Sequence, residues 1–237
     1  MTLQQYFQEL VQDEAALKHS RLVQISALNE QELEEFRHWW PSIAVEHRQK
    51  LVLRLVALAE ADVELDFDAV FLHCLRDEDA GVREKAVLGL WECDDRALVG
   101  IMINLMKGDP DDQVRASAAS SLGKFGSLSE LGKLLPRDGE MIKDLLIATV
   151  ENEKEGPEVR RRALEAAAAF NTEKVGELIR WAYKSEEHKL RVSAVYAMGR
   201  TCDLSWLSTI LRELGSDDAV MRYEAANACG EMGEEEA

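Results

Sequence analysis

Proline and glycine are scarce in this sequence, which contains 4 Pro and 14 Gly in 237 residues. Disordered chains are typically rich in such residues and poor in apolar ones. Here 46% of the residues are hydrophobic, which is enough to bury a large core as one extended domain or two compact domains. The composition therefore predicts a folded chain.

Basic residues are also in deficit, with 28 Lys and Arg against 45 Asp and Glu, a formal net charge of −17. A field of this sign repels the phosphate backbone of nucleic acids and the surface of anionic membranes. We therefore expect neither nucleic acid nor a membrane as a partner, although a local basic patch stays open.

Long apolar runs are absent, since 18 apolar residues never follow one another and polar residues interrupt the first 20 residues. Cys74, Cys93, Cys202 and Cys229 lack the C-x-x-C spacing of a zinc site or redox pair. Scattered cysteines of this kind are typical of reduced thiols at core positions. We expect a cytoplasmic protein with no structural metal and no disulfide framework.

An apolar residue followed by arginine recurs along the second two thirds of the chain. Five of these pairs share the same surrounding pattern, namely Val82-Arg83, Val114-Arg115, Val159-Arg160, Leu190-Arg191 and Met221-Arg222. Their spacings of 32, 45, 31 and 31 residues predict an array of five units with one insertion.

Small residues accompany every pair at fixed positions. The third residue after the arginine is always alanine, and the sixth is Gly89, Ser121, Ala166, Ala197 or Ala228. Apolar residues before the arginine and at the fourth and seventh positions after it complete one helix face. The small side chains on this face allow a neighbouring helix to approach closely. A second amphipathic segment precedes each copy, so one unit is predicted to be two antiparallel helices, a partner helix and an arginine helix.

A short acidic turn separates the two helices of each unit, as in "GDPDDQ" at residues 108–113. Aspartate and serine side chains at such positions cap the following helix. We expect Asp109, Asp111 and Asp112 to do so, because a catalytic carboxylate pair would not recur in most copies.

This pattern, an acidic turn followed by V-R-x-x-A-A-x-x-L-G, resembles HEAT repeats of the PBS-lyase HEAT-like type over about residues 66–237. Gly123, Gly199 and Gly230 match the terminal glycine of that family, whereas Trp91 and Ala168 depart from it. The resemblance implies an all-α fold, a right-handed α-solenoid of stacked antiparallel helix pairs. It also implies that the arginine helices line the concave side.

Residues 1–65 lack the repeat and are predicted to form a helical N-terminal cap over the array at 66–237. Asn29 and Glu32 form a capping pair, and Phe36 and Trp40 share one helix face. We interpret these aromatics as cap core, with an exposed anchor for a partner as the alternative, and expect Trp91 to pack against the cap.

Two further segments break the pattern. Leu128, Leu131 and Leu135 in the insertion near residues 127–139 predict a short extra helix and loop, which Pro136 and Gly139 break. The last unit is expected to be incomplete, with an uncovered packing face. That face indicates either a longer array or end-to-end self-association.

Residues one, two and five positions after each arginine are expected to point away from the core and to bind a protein or peptide. The candidate interface consists of Lys85, Leu88, Arg161, Arg162, Val192, Tyr196, Tyr223 and Asn227. Tyr196 and Tyr223 with the two arginines have the composition of an interface core. The framework arginines Arg83, Arg115, Arg160, Arg191 and Arg222 are expected instead to bridge to acidic turns or carbonyls of the adjacent unit.

No catalytic, cofactor or metal site is predicted. The sequence lacks the His-Glu dipeptides of the deoxyhypusine-hydroxylase-like relatives, a G-x-S-x-G motif and an H-E-x-x-H motif. His73-Cys74 lies in a predicted helix with Cys74 on its apolar side. A non-catalytic scaffold is therefore favoured. The alternative from the resemblance is a bilin lyase or tetrapyrrole-binding chaperone, to which Arg161, Arg162, Tyr196 and Tyr223 would contribute.

Overall fold

The computed structural model describes residues 3–12 and 17–233, and within these ranges it contains helices and connecting loops but no strand. The predicted all-α class is confirmed. The chain divides into two compact units, Met1–Cys93 and Asp94–Ala237. The boundary between the two compact units therefore follows Cys93, whereas the sequence repeat was expected to begin after residue 65.

The first unit holds the predicted cap together with the first arginine helix. Its helices are α1 (Leu3–Gln12), α2 (His19–Leu22), α3 (Glu30–Trp39), α4 (Val45–Ala61), α5 (Asp68–Cys74) and α6 (Ala80–Gly89). Helix α6 packs on both α4 and α5.

An aromatic cluster forms the core at the start of this unit. Phe36 packs against Phe7, Trp40 and the His73 ring, with Phe36 and Trp40 only 1% and 3% exposed. The Asn29 side chain accepts from the Glu32 amide, and the Glu32 carboxylate accepts from the Asn29 amide. The predictions of a capping pair and of buried aromatics are confirmed.

The second unit consists of four helix pairs. They are α7 (Ala97–Gly108) with α8 (Asp112–Glu130), α9 (Pro136–Glu151) with α10 (Pro157–Ala167), α11 (Glu173–Tyr183) with α12 (His188–Arg200), and α13 (Leu207–Glu213) with α14 (Ala219–Glu231).

Within this unit, the arginine helices α8, α10, α12 and α14 pack side by side in chain order. Neighbours run in the same direction, because His188 near the start of α12 meets Asp218 at the start of α14, while Arg200 and Glu231 meet at their ends. Each partner helix must therefore return antiparallel to its arginine helix. The predicted stack of helix pairs is confirmed.

The small residues explain how closely these helices approach. A Cβ on Gly199 would lie 2.6 Å from the Cα of Ala228, and one on Gly123 would lie 3.0 Å from the Cα of Ala166. In both pairs the eighth residue after one arginine meets the sixth residue after the next. A larger side chain at either position would force the two helices apart.

The expectation for the insertion is wrong. Helix α8 runs unbroken to Glu130, and α9 begins at Pro136, so the extra residues lengthen two existing helices. Proline suits the first helical turn because its missing N–H has no intrahelical acceptor there. Gly139 lies inside α9, where a Cβ would meet the Ser129 hydroxyl at 1.9 Å.

The last unit contains both of its helices, α13 and α14. The fourth residue after the framework arginine is buried in the first four units, where it is Val87, Ala119, Leu164 or Val195, but Ala226 in the last unit is exposed. The outer face of the last unit is therefore uncovered. Self-association through this face stays a prediction.

Candidate functional site

A turn precedes every arginine helix, and in three of the five, α6, α8 and α14, an aspartate side chain caps the helix. Asp79 and Asp111 accept from the amides of Val82 and Val114 respectively, and Asp218 accepts from the amide of Val220. Two residues before each cap, Asp77 and Asp109 accept from the amide of the cap residue itself. The capping role predicted for Asp111 is confirmed. Asp109 instead accepts from the amide of the cap residue, and Asp112 pairs with Arg115 in the first helical turn.

The framework arginines secure the same turns from the helix side. Arg83, Arg115, Arg191 and Arg222 each donate to the main-chain carbonyl six residues earlier, at distances of 2.7 to 2.9 Å. Arg160 follows a longer turn and donates to the Val150 carbonyl at 2.9 Å. Each guanidinium thus ties the first turn of its helix to a carbonyl that precedes the helix.

These bonds run mainly within one unit, and this corrects the expectation that the arginines bridge to the adjacent one. The accepting carbonyl lies before the same helix. It precedes the arginine by six residues in four of the five cases, a separation that one arginine side chain can span. Arg115 also bridges between units, with Nη2 2.8 Å from the Glu155 carboxylate in the next turn. Arg160 in addition lies over the Trp181 ring of the following pair.

All eight candidate interface residues are at least partly exposed. Leu88, Tyr223 and Asn227 are exposed, with Tyr223 at 67%. The other five are half-buried: Lys85, Arg161, Arg162, Val192 and Tyr196. Lys85 and Leu88 lie in the first unit, whereas the other six lie on α10, α12 and α14.

The two candidate arginines on α10 are held by carboxylates of their own helix. Arg161 pairs with Glu158 and Glu165, at 2.5 and 2.8 Å, and Arg162 pairs with the same two glutamates at 3.2 and 2.8 Å. Hydrogen bonding from Arg161 lowers the pKa of Glu158 despite its partial burial. This patch is therefore a neutral ionic network.

Ser193 extends that network to the next helix. Its fully buried hydroxyl donates to Glu165 at 2.5 Å and lies 3.1 Å from Arg161 Nη1. Burial raises the pKa of Tyr196 on the same helix. Sequence spacing placed Ser193 among outward residues and missed its burial, because spacing does not show how closely α10 and α12 pack.

Arg200 is a second residue that the sequence analysis missed. It donates to Glu231 on α14 at 2.8 Å and to Ser127 near the end of α8 at 3.2 Å. One side chain on α12 therefore reaches both α14 and α8, which shows that these helix ends converge. The common spacing of Arg200 and Glu231, nine residues after their framework arginines, is the signal that would have indicated the pair.

The described residues hold no group of three or more His, Cys, Asp or Glu side chains suited to a metal ion. Cys74 is fully buried, and burial raises the pKa of its thiol, so it is not a reactive nucleophile. None of the described helices is long and apolar enough to span a membrane.

Several solved structures are similar to this chain at low sequence identity. An engineered protein is 15% identical, with a TM-score of 0.54 over 97% of this chain and 68% of its own. A designed armadillo repeat protein in complex with the peptide (KR)4 is 14% identical, with a TM-score of 0.45 over 98% and 100% of the two chains. Human deoxyhypusine hydroxylase is 14% identical, with a TM-score of 0.41 over 97% and 95%.

No curated protein matches the sequence. At the family level, residues 69–138 match the HEAT repeats family. This segment includes the first two arginine helices, where the recurring turn, the framework arginine and the small residues are all present. This segment, less than a third of the 237 residues, is therefore similar to HEAT repeats.

Proposed function

We propose that this chain is a non-catalytic scaffold that binds a protein or peptide along the exposed surface of the arginine helices α10, α12 and α14. The supporting observation is that these parallel helices share one framework, while the side chains they expose differ from copy to copy. A fixed framework with variable exposed residues is how repeat proteins present extended binding surfaces.

Tyr223 is the proposed anchor, because it combines the greatest exposure in the candidate interface with a large aromatic side chain. Val192, Tyr196 and Asn227 lie on the same two helices and surround it in our proposal. The Arg161–Arg162 network contributes polar contacts without net charge. A partner segment with mixed apolar and polar side chains suits such a surface.

Among the described residues, no contact favours tetrapyrrole binding. The arginines that would pair with propionate groups, Arg161 and Arg162, are already bound to Glu158 and Glu165. Releasing them would leave those two carboxylates without their ion pairs. A cytoplasmic location is part of the proposal, supported by the scattered spacing of the four cysteines, which is typical of reduced thiols.

The proposal is tested by capturing partners from the source cell on immobilised wild-type chain and on a Tyr223→Ala variant, with quantitative mass spectrometry. Loss of a hot-spot aromatic weakens binding by ~30-fold or more, so we expect the specific partner to disappear from the variant. A second variant changes Tyr196 to Phe rather than to Ala, because Tyr196 is half-buried and Phe preserves its packing.

Trp181→Ala is the matched control, since Trp181 is also an exposed aromatic, at 44%, but lies on the partner helix α11. This variant should retain the partner. Equal capture by wild type and Tyr223→Ala, at equal melting temperature, would refute the proposed surface.

A further inference from the structure

A cleft of about 560 Å³ lies within the first unit, where the ends of α4 and α6 meet the start of α5. Its apolar lining includes the buried rings of Phe67 and Phe71 and three exposed side chains. Leu88 is 48% exposed, Trp91 is 49% exposed and Val63 is 96% exposed. Exposed apolar side chains grouped around a cavity mark a site of interaction.

The sequence departs from the repeat pattern at this cleft. Trp91 occupies the position where α8 and α12 have Gly123 and Gly199. Trp91, which was expected to pack against the cap, lines this cleft together with residues of α4, and 49% of its surface stays exposed. Gly89 precedes it, and any Cβ there would meet the Phe71 ring at 2.5 Å, so the wall of the cleft is close-packed and pre-formed.

Every charged residue that lines the cleft is acidic. They are Glu60, Asp66, Asp68 and Glu92, and the lining contains no Lys, Arg or His. None of the four forms an ion pair within the part of the chain that the structure describes, although carboxylates elsewhere in the molecule pair extensively. The cleft therefore has an apolar wall and an uncompensated negative rim.

We propose that this cleft is a docking site for a segment of a partner protein in which a bulky apolar side chain is flanked by Lys or Arg. The apolar side chain packs between Leu88 and Trp91, and the basic residues pair with the carboxylates around it. An acidic segment is disfavoured because it would bring like charges together.

The site lies in the first unit and involves α4, α5 and α6, so it is separate from the surface proposed above on α10, α12 and α14. Leu88 belongs to the candidate interface as well as to the cleft, and for that reason it is not used in the test. Either proposal stands if the other fails.

The test is a titration of the full chain with the peptide acetyl-KRLFKR-amide, followed through the indole N–H signals of the five tryptophans by NMR. We expect a saturable shift of the Trp91 signal, assigned with Trp91→Phe, while the Trp181 signal stays in place. Added salt should weaken binding because the carboxylates are exposed. The peptides acetyl-EDLFED-amide and acetyl-KRSSKR-amide, which lack the basic or the apolar part, should bind more weakly.

Two variants locate the binding energy. Trp91→Ala should weaken binding of the KRLFKR peptide by ~10-fold or more, whereas Trp181→Ala should leave it unchanged. The triple change Glu60→Gln, Asp66→Asn and Glu92→Gln should weaken it and remove most of the salt dependence. An equal charge change at the exposed residues Asp144, Glu186 and Asp217 of the second unit is the control.

Three results would overturn the proposal. They are the absence of a saturable Trp91 shift, equal binding of the acidic peptide, and unchanged affinity in Trp91→Ala. A Trp91 signal that moves on dilution of the protein alone would identify a second copy of this chain as the occupant and would also reject a basic partner segment.

Discussion

The two units join neighbouring helices by different means. In the first unit, Arg48 on α4 pairs with Asp77 in the turn before α6 at 2.9 Å, and the Trp40 indole donates to the same oxygen at 2.6 Å. The two charged side chains are 6% and 1% exposed. In the second unit, α12 meets α14 through Gly199 and Ala228, and the ion pair between Arg200 and Glu231 lies at the surface.

The difference follows from the residues available on each helix. The buried positions of α4 include Leu51, Val52 and Leu55, which are too large for the close approach that glycine and alanine permit. Large side chains pack in several ways, so a buried polar contact fixes the geometry of α4 on α6. Small side chains fix the geometry of α12 on α14 by shape alone, and charges there are secondary.

The strongest way to break this comparison is Arg48→Met. Removing one partner leaves Asp77 buried without its cation, and we expect the first unit to lose about 3–5 kcal/mol of stability. Urea unfolding combined with hydrogen exchange of the α4 and α6 amides measures the loss locally.

Arg76→Met is the control for Arg48→Met, because Arg76 lies in the same unit but is exposed. A loss below about 1 kcal/mol in Arg48→Met would mean that apolar packing alone holds α4 on α6. Combining Arg48→Met with Asp77→Asn should recover part of the lost stability, since Asn at position 77 still accepts from the Trp40 indole.

A matched pair of glycines tests the second unit. Gly199→Ala should destabilise it by about 1–3 kcal/mol, because the new methyl group overlaps the Ala228 backbone and separates α12 from α14. Gly230→Ala on α14 meets nothing within 4 Å and should be neutral or stabilising by up to about 1 kcal/mol.

Thermal unfolding of both glycine variants and wild type distinguishes the two effects. If the two substitutions behave alike, helix propensity rather than close approach determines the response. The proposed origin of stability in the second unit would then be rejected.

Local sequence information predicted what is repeated. The alanines Ala86, Ala118, Ala163, Ala194 and Ala225 are all fully buried. The capping role of Asp111 also followed from the sequence, since caps act over three residues. By contrast, the contact of Arg48 with Asp77 depends on which distant segments meet, and no periodicity encodes it.

The candidate interface was predictable only as a set of outward positions. The pairing of Arg161 with Glu158 follows from helical spacing and was accessible to sequence reasoning. The burial of Ser193 and the cleft beside Trp91 were not, because both depend on distances between helices. Sequence departures from the repeat, such as Trp91 in place of glycine, were the useful signal.

The smallest expected effect concerns Glu224, a carboxylate in the second unit. Unlike Asp77, it has no hydrogen-bond donor at its buried oxygen. Glu224 Oε1 is buried without a hydrogen-bond partner, and burial, together with the nearby Glu165, raises the pKa of this carboxyl. A raised pKa in the folded state favours the neutral form. Stability is therefore greatest below the unfolded pKa of about 4.3 and falls as the pH rises through the folded value.

Glu224→Gln removes that loss, so the variant should be more stable than wild type at pH 7, with the gain disappearing near pH 4. Because the residue is only partly buried, solvent screening limits the gain to about 0.5 kcal/mol or less. Asp218→Asn should respond with the opposite sign, since its hydrogen bond with His188 lowers the pKa of Asp218 and contributes stability only above the unfolded value. Urea unfolding from about pH 2 to 7 tests both variants, because the Asp218 contribution is lost only below the unfolded pKa of about 3.9. A constant difference between Glu224→Gln and wild type would show that the Glu224 carboxylate is adequately solvated.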